Sequence, residues 1–315
     1  MTVLVADKFE QSGLDGLAAL GVTVLSEPDL KDDTLQARIH ESGADVLIVR
    51  STKVTRPMLE GSNLKVVIRA GAGYNTIDVK AASEFDIKVA NCPGKNAQAV
   101  SELAFALMLA LDRFIPDNVS QLRQGKWNKK AFSKAKGLHG RTLGLVGLGN
   151  IGRDMIAKAK PFGMDVVAFS RHTSAEEAAQ LGIRLGTLDD VAACDVVSVH
   201  CSLTDETRGL LGADFFGKMA KGSLFINTSR SEVVDQAALL DAVRNRGIRA
   251  GLDVFDDEPT TPEGEYAGPL VNEPNVYVTH HIGASTDQAQ EAVADETVRI
   301  VREFRSSGIV VNAVN

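Results

Sequence analysis

The chain has 315 residues, 44% hydrophobic and 24% charged, with a formal net charge of −7; this is the balance of a soluble globular protein with apolar material for two packed domains. An acidic chain without a long basic run argues against nucleic acid as a partner, so a substrate anion would have to be drawn by a local basic pocket and not by the global field. Cys92, Cys194 and Cys201 are odd in number and lack metal-ligand spacing, Asp7 breaks the amino-terminal apolar run, and the longest purely apolar stretch is 103–111; no metal, secretory signal or membrane span is expected, and the expected location is the cytoplasm.

TVLVA (2–6), DVLIV (45–49), KVVIR (65–69) and IKVAN (87–91) are short β-branched runs, each preceded by helical or turn sequence. They predict buried parallel strands of a small α/β unit. SELAFALMLALDRF (101–114) is helical and apolar on most faces, which places it between layers, between domains or in a core. A polar stretch, AFSKAKGLHGR, then separates it from a second alternation. TLGLVG, DVVAF, DVVSVH, SLFINTS, RAGLDVF and NVYVTH read as strands, with helices from about 151, near 175–181 and over 235–246. Strands with intervening helices predict a doubly wound parallel sheet of the Rossmann type. A last helix over roughly 285–306 precedes the tail IVVNAVN, which would return to the first domain. The expected organisation is an α/β fold of two domains. A smaller, flavodoxin-like substrate domain takes 1–95 and 287–315, and a dinucleotide-binding domain takes 96–286, with two chain crossings as the hinge.

Gly147, Leu148, Gly149, Asn150, Ile151 and Gly152 form a GxGxxG that follows an apolar strand and opens a helix, with another strand at 166–169. That context, and not the bare motif, predicts a dinucleotide site. Gly147 allows the tight turn, Gly149 the approach of a pyrophosphate and Gly152 close helix packing, while the Asn150 and Ile151 amides point at phosphate from the helix start. The next strand runs into AFSRH (168–172), where a carboxylate would meet the ribose 2′-hydroxyl. Ser170 and Arg171 stand there instead, and a guanidinium matches phosphate. The cofactor is therefore expected to be NAD(P)(H), with NADP(H) ahead of NAD(H); the alternative is that Arg171 stacks over adenine or is solvated.

FINTSR (225–230), GLDVFDDEP (251–259) and VTHHIGAST (278–286) each put polar residues at the end of a buried strand. Together they offer an Arg, a Glu and a His. An Arg can hold a carboxylate bidentately, a His can move a proton at neutral pH, and a Glu beside it fixes the tautomer. With a nicotinamide these suffice to interconvert a 2-hydroxy acid and a 2-oxo acid. In the first domain Arg50, Ser51, Lys53 and Arg69 lie at or just after strand ends, where a second anion could be clamped; a phosphate needs about two cations or several amides. A 3-sulfo or 3-carboxy acid would fit as well.

GLVGLGNIG, NTSR, LDVFDDEP and HHIGAST, in this order and spacing, resemble the D-isomer-specific 2-hydroxyacid dehydrogenases over essentially the full chain. LIVRSTKVT (47–55), RAGAGYNTID (69–78) and NCPGKNAQAVSELAFALMLAL (91–111) are most similar to phosphoglycerate dehydrogenases. The resemblance implies that Arg230 binds the substrate carboxylate and carbonyl, that His281 and not His280 is the acid/base, and that Glu258 pairs with it. It implies that the amides of Gly71, Ala72 and Gly73 hold the carboxylate and that Asp253 meets the nicotinamide carboxamide. Cys201, Thr228, Ser229, Gly283 and Ala284 are the further cofactor contacts expected at these strand ends. A homodimer through the large domain is expected, with the apolar 101–111 helix as its candidate contact. Two departures stand out: the usual Asp is missing at Ser170 or Arg171, and the chain stops at Asn315 without the regulatory domains of longer members, so serine feedback is not expected. The favoured substrate pair is 3-phosphoglycerate and 3-phosphohydroxypyruvate. The alternatives are a glyoxylate/hydroxypyruvate reductase and, from another class, a nucleotide-sensing corepressor that binds peptides.

Overall fold

A computed structural model describes residues 1–259, 263–270 and 272–315. In chain order the first elements are β1 (Thr2–Val5), α1 (Gln11–Ala19), β2 (Thr23–Ser26), α2 (Asp32–Ser42), β3 (Val46–Val49), α3 (Arg56–Leu59), β4 (Val66–Arg69), α4 (Val79–Glu84), β5 (Lys88–Asn91), α5 (Ala97–Arg113) and α6 (Ile115–Arg123). Then come β6 (Thr142–Val146), α7 (Asn150–Ala159), β7 (Asp165–Phe169), α8 (Ala175–Gln180), β8 (Arg184–Leu185), α9 (Leu188–Ala192), β9 (Val196–Val199), α10 (Ala213–Lys218), β10 (Leu224–Asn227), α11 (Gln236–Arg246), β11 (Arg249–Leu252), β12 (Val276–Val278) and α12 (Asp287–Ser307). They divide into two compact units, Met1–Asn96 with Ala284–Asn315, and Ala97–Gly283. Ala284, expected beside the cofactor residues, thus opens the second segment of the first unit.

The first unit holds a parallel sheet in the order β2-β1-β3-β4-β5, the flavodoxin-type order. Successive strand side chains point to opposite faces. Leu4, Leu47, Val67 and Val89 pack on one side against α2, α3 and α4. Val3, Val5, Val46, Ile48, Val66 and Ile68 pack on the other against Leu17 of α1 and Val298 and Val301 of α12. Both faces are covered, which is why these strands read as unbroken apolar runs. After α12 the chain returns to the sheet: Ala313 pairs antiparallel with Ala90.

The second unit holds a parallel sheet in the order β12-β11-β10-β9-β6-β7-β8. Counted within the unit this is the doubly wound order with its switch point beside β6, where ligands bind beyond the strand ends. Leu143, Leu145, Val196 and Ile226 face α5 and α7, while Val197, Val199, Phe225 and Leu252 face α9, α10 and α11. Ala104, Phe105, Leu107, Met108 and Leu111 of α5 are buried in this core. Much of the 101–111 helix is therefore core within its own unit, while Ala106 is exposed and Leu103, Leu109 and Ala110 are partly exposed. Three exposed apolar residues share α6, a helix that the sequence pattern did not predict. Phe114, at φ +55°, breaks the chain between the two helices, and Ile115, Val119 and Leu122 are 42–52% exposed. Strands β2 and β8 also escape the sequence pattern, because sheet edges are only partly covered and lack long apolar runs. Among the described residues no helix is long and apolar enough to cross a membrane, and no group of three His, Cys, Asp or Glu is placed to hold a metal ion.

Candidate active site

The loop between β6 and α7 needs its three glycines for three different reasons. Gly147 has φ +100°, and a β-carbon there would lie 2.7 Å from the Cys201 backbone nitrogen. At Gly152 it would lie 2.3 Å from the Gly147 carbonyl oxygen. At Gly149 it would meet nothing within 4 Å. The first two glycines permit close backbone packing, and the third leaves open room over the start of α7. Gly149 caps that helix without a side-chain hydrogen bond, so its first amides, at Asn150 and Ile151, are available to an anion. Thr228, 7% exposed, has a hydroxyl without a hydrogen-bond partner among the described residues. The open cradle and this orphaned hydroxyl fit a dinucleotide.

At the end of β7, Ser170 Oγ lies 2.8 Å from Thr173 Oγ1. The half-exposed Arg171 guanidinium lies 3.8 Å from the Glu206 carboxylate. The acid missing from the strand end is thus supplied nearby by the segment after β9, a partner that sequence reasoning did not find. Burial pushes the Cys201 thiol up to about 11, so Cys201 is an uncharged wall of the glycine loop.

The Arg, Glu and His sit at the ends of β10, β11 and β12. Asn227, 1% exposed, closes β10 and organises the turn that follows. Its Oδ1 accepts from the Ser229 amide and hydroxyl, and its Nδ2 donates to the Arg230 carbonyl. Arg230 donates from Nη1 to the Ser229 carbonyl at 2.6 Å. Burial lowers the pKa of its guanidinium, and the charges of Glu232 and Glu258 oppose that shift. Glu258 Oε1 accepts from the Phe255 amide at 3.0 Å, and its Oε2 is 2.8 Å from His281 Nδ1. With Nδ1 donating to this carboxylate, Nε2 is the ring nitrogen left to exchange a proton. His281 is held at φ +52° with half its side chain exposed, a backbone conformation that a non-glycine residue adopts only where its surroundings impose it.

Asp253 supplies that imposition. It is 1% exposed. Its Oδ1 accepts from the Thr279 hydroxyl and the Ile282 amide, and its Oδ2 from the Gly283 amide, at 2.6–2.9 Å. Its observed role is to brace the turn that carries His281.

In the first unit, Arg50 follows β3 and Arg69 ends β4. Arg50 Nη1 donates to Gln290 Oε1 at 2.8 Å. The amides of Arg50, Ser51 and Thr52 all donate to Asp7 Oδ2, and the Ser51 hydroxyl faces Asp7 Oδ1. The anion held by the Ser51 turn in this structure is therefore Asp7. Gly71 has φ +150°, and a β-carbon there would lie 1.6 Å from Arg69 Nη1, so the Arg69 guanidinium lies directly against the loop of residues 71–73. Lys53 is exposed. Asp7, Asn91, Asn227 and Glu206 are the residues that sequence reasoning passed over. The only signal was that three of them also end or follow a β-branched run.

What the fold and these strand ends define is a two-unit α/β protein that presents a dinucleotide-type loop, an arginine and an acid–base pair. A family model described as the NAD-binding domain of D-isomer-specific 2-hydroxyacid dehydrogenases matches residues 105–283. The hydroxypyruvate reductase of Thermotoga maritima is 42% identical over 284 residues, covering 89% of this chain and 90% of the relative. The D-3-phosphoglycerate dehydrogenase of Methanocaldococcus jannaschii is 36% identical over 320 residues, covering 99% of this chain and 59% of the relative. The crystal structure of the TT0316 protein from Thermus thermophilus matches the whole of both chains with a TM-score of 0.88 and 31% identity. The chain belongs to the D-isomer-specific 2-hydroxyacid dehydrogenase family. It spans 58–59% of the length of several phosphoglycerate dehydrogenases that it matches.

Proposed function

We propose that this chain is an NAD(P)-dependent dehydrogenase of short, anionic D-2-hydroxy acids. The observation that carries the reading is the 2.8 Å contact between Glu258 and His281 Nδ1 on a strained turn, beside a partly buried arginine. Arg230 neutralises the substrate carboxylate and polarises the 2-oxo group. His281 Nε2 gives a proton to the carbonyl oxygen in reduction and takes one from the hydroxyl in oxidation. Glu258 holds the ring in the tautomer that leaves Nε2 outward. The amides of Ala72 and Gly73 would bind the carboxylate; the Gly71 amide, expected beside them, already donates to the Arg69 carbonyl at 2.8 Å. The amides of Asn150 and Ile151, with Gly147, Gly149 and Gly152 leaving room, would hold the pyrophosphate, and Thr228, Ser229 and Gly283 line the same sheet end. A bound nicotinamide supplies the hydride. NADP(H) is favoured over NAD(H), on Ser170 and Arg171.

The favoured pair is 3-phosphoglycerate and 3-phosphohydroxypyruvate, supported by Arg50 and Arg69 at neighbouring strand ends. A glyoxylate or hydroxypyruvate reductase is the second reading, favoured by the Ser170–Arg171 pair and by the name of the Thermotoga relative. We further propose a cytoplasmic homodimer. The exposed Ile115, Val119 and Leu122 on α6, followed by Trp127 at 81% exposure, support an association through that helix. The deciding experiment measures kcat/KM for 3-phosphohydroxypyruvate, hydroxypyruvate and glyoxylate with each reduced cofactor. The favoured reading expects 3-phosphohydroxypyruvate to lead, with a selective KM rise for it in Arg69→Ala. Equal KM rises for all three acids would remove Arg69 from phosphate recognition, and no turnover of any would overturn the dehydrogenase assignment.

A further inference from the structure

The loop of residues 71–73 follows β4, and two of its carbonyls are spoken for. The Cys92 amide donates to the Gly71 oxygen at 2.9 Å. The Asn91 side chain donates from Nδ2 to the Ala72 oxygen at 2.5 Å. In a planar trans peptide the carbonyl and the following N–H point in opposite directions. Anchoring these two oxygens toward the end of β5 therefore turns the N–H groups of Ala72 and Gly73 away from it. Among the described residues neither of those amides has an acceptor.

Other strand-end turns make the contrast. Asp7 consumes the amides of residues 50–52, and Asp253 consumes those of Ile282 and Gly283. Those braces are acceptors and fill the amides they touch. The brace at 71–73 is a donor and leaves the amides open. Asn91 itself is 7% exposed and is fixed from behind. Its N–H donates to the Asn312 carbonyl, the Asn312 side chain donates to the Asn91 carbonyl, and the same side chain reaches Glu296 Oε1 at 2.7 Å.

We propose that Asn91 is a positioning residue for substrate: its side-chain amide orients the Ala72 and Gly73 N–H groups as a two-donor seat for the carboxylate common to all 2-oxo acids. The proposal rests on the reading that residues 71–73 bind that carboxylate. The Asn91 side chain donates to the loop and acts through it. Aspartate has the same shape without the donor, so it cannot replace Asn91.

The test uses the full-length enzyme saturated with whichever reduced cofactor it turns over, with oxalate as the carboxylate probe. Hydrogen bonds to charged groups carry about 1.5–3 kcal/mol, so Asn91→Ala should raise KM for hydroxypyruvate and 3-phosphohydroxypyruvate alike, and the Kd of oxalate, by roughly 10–100-fold. The cofactor Kd and the pH dependence of kcat should not move, and Asn91→Asp, which keeps the side-chain volume, should lose at least as much. In wild type, the amide NMR resonances of Ala72 and Gly73 should shift on adding oxalate. If they shift but KM and oxalate affinity survive in both variants, or if kcat falls at constant KM, the role of Asn91 is overturned while the seat stands. If they do not shift, the seat itself is wrong, and the proposal falls with it.

Discussion

The turn at His281 and the loop at residues 71–73 are built on the same plan with opposite chemistry. Each follows a strand of a parallel sheet, and each is held by one buried polar side chain at the end of the adjacent strand: Asp253 beyond β11 for the first, Asn91 closing β5 for the second. Asp253 accepts hydrogen bonds and consumes the Ile282 and Gly283 amides, and the turn so held presents a side chain, the imidazole of His281. Asn91 donates and saturates a carbonyl, so its loop can present only backbone N–H groups. Which half of the peptide the brace consumes decides whether a strand end offers an acid–base group or an anion seat.

The largest effect expected from this contrast is at His281. Replacing it with Ala removes the one group the braced turn presents, and kcat should fall by roughly 10²–10⁴-fold with cofactor affinity unchanged. A near-wild-type rate in steady-state assays would mean the turn is scaffolding.

The brace should come next. Asp253→Asn trades one acceptor oxygen for a donor that faces backbone amides, and an orphaned buried donor costs about 1–3 kcal/mol. The expected result is a lower melting temperature and about a tenfold lower kcat at nearly constant KM, the converse of the KM effect at Asn91. If both variants changed KM alone, the division between the two kinds of brace would not hold.

The two histidines give the smallest test. His200, just beyond β9, is buried with Nε2 2.8 Å from Ser198 Oγ, and burial pushes it down to about 3, whereas His281 is half exposed against a carboxylate. An unfolded imidazole titrates near ~6.5, so between about 6.5 and 3 the unfolded chain binds a proton that the folded one excludes. His200 therefore costs no stability above that window and costs progressively more as pH falls through it, with a slope approaching ~1.4 kcal/mol per pH unit. Urea unfolding of His200→Asn between pH 7 and pH 4 should show a flatter dependence than wild type; parallel curves would remove His200 from the acid sensitivity.

Much of the scaffold was readable in the residues, because strands covered on both faces must be apolar throughout; 45–49 and 65–69 announce β3 and β4 for that reason. The half-covered edges β2 and β8 carry no such run, and α6 turns its apolar residues outward. Arg230, Glu258 and His281 were legible because each follows an apolar strand, on the side of the sheet where function collects. Asn91 and Asp253 end or follow strands as well, yet what they do is set by backbone groups 19 to 30 positions away, and only the pairing of β4 with β5 and of β11 with β12 brings those together. The cover of an apolar helix is not legible either: it reads the same whether its own sheet covers it, as the sheet covers most of α5, or something else does.

The central claim is that Glu258 serves catalysis only through the His281 ring it holds. Its most direct test is a double-mutant cycle in kcat over Glu258→Gln, His281→Ala and the two combined. The account predicts that Glu258→Gln slows the wild-type enzyme and does nothing further once His281 is gone, so that the double variant turns over at the rate of His281→Ala alone. Losses that multiply would contradict it, and would make Glu258 an independent actor.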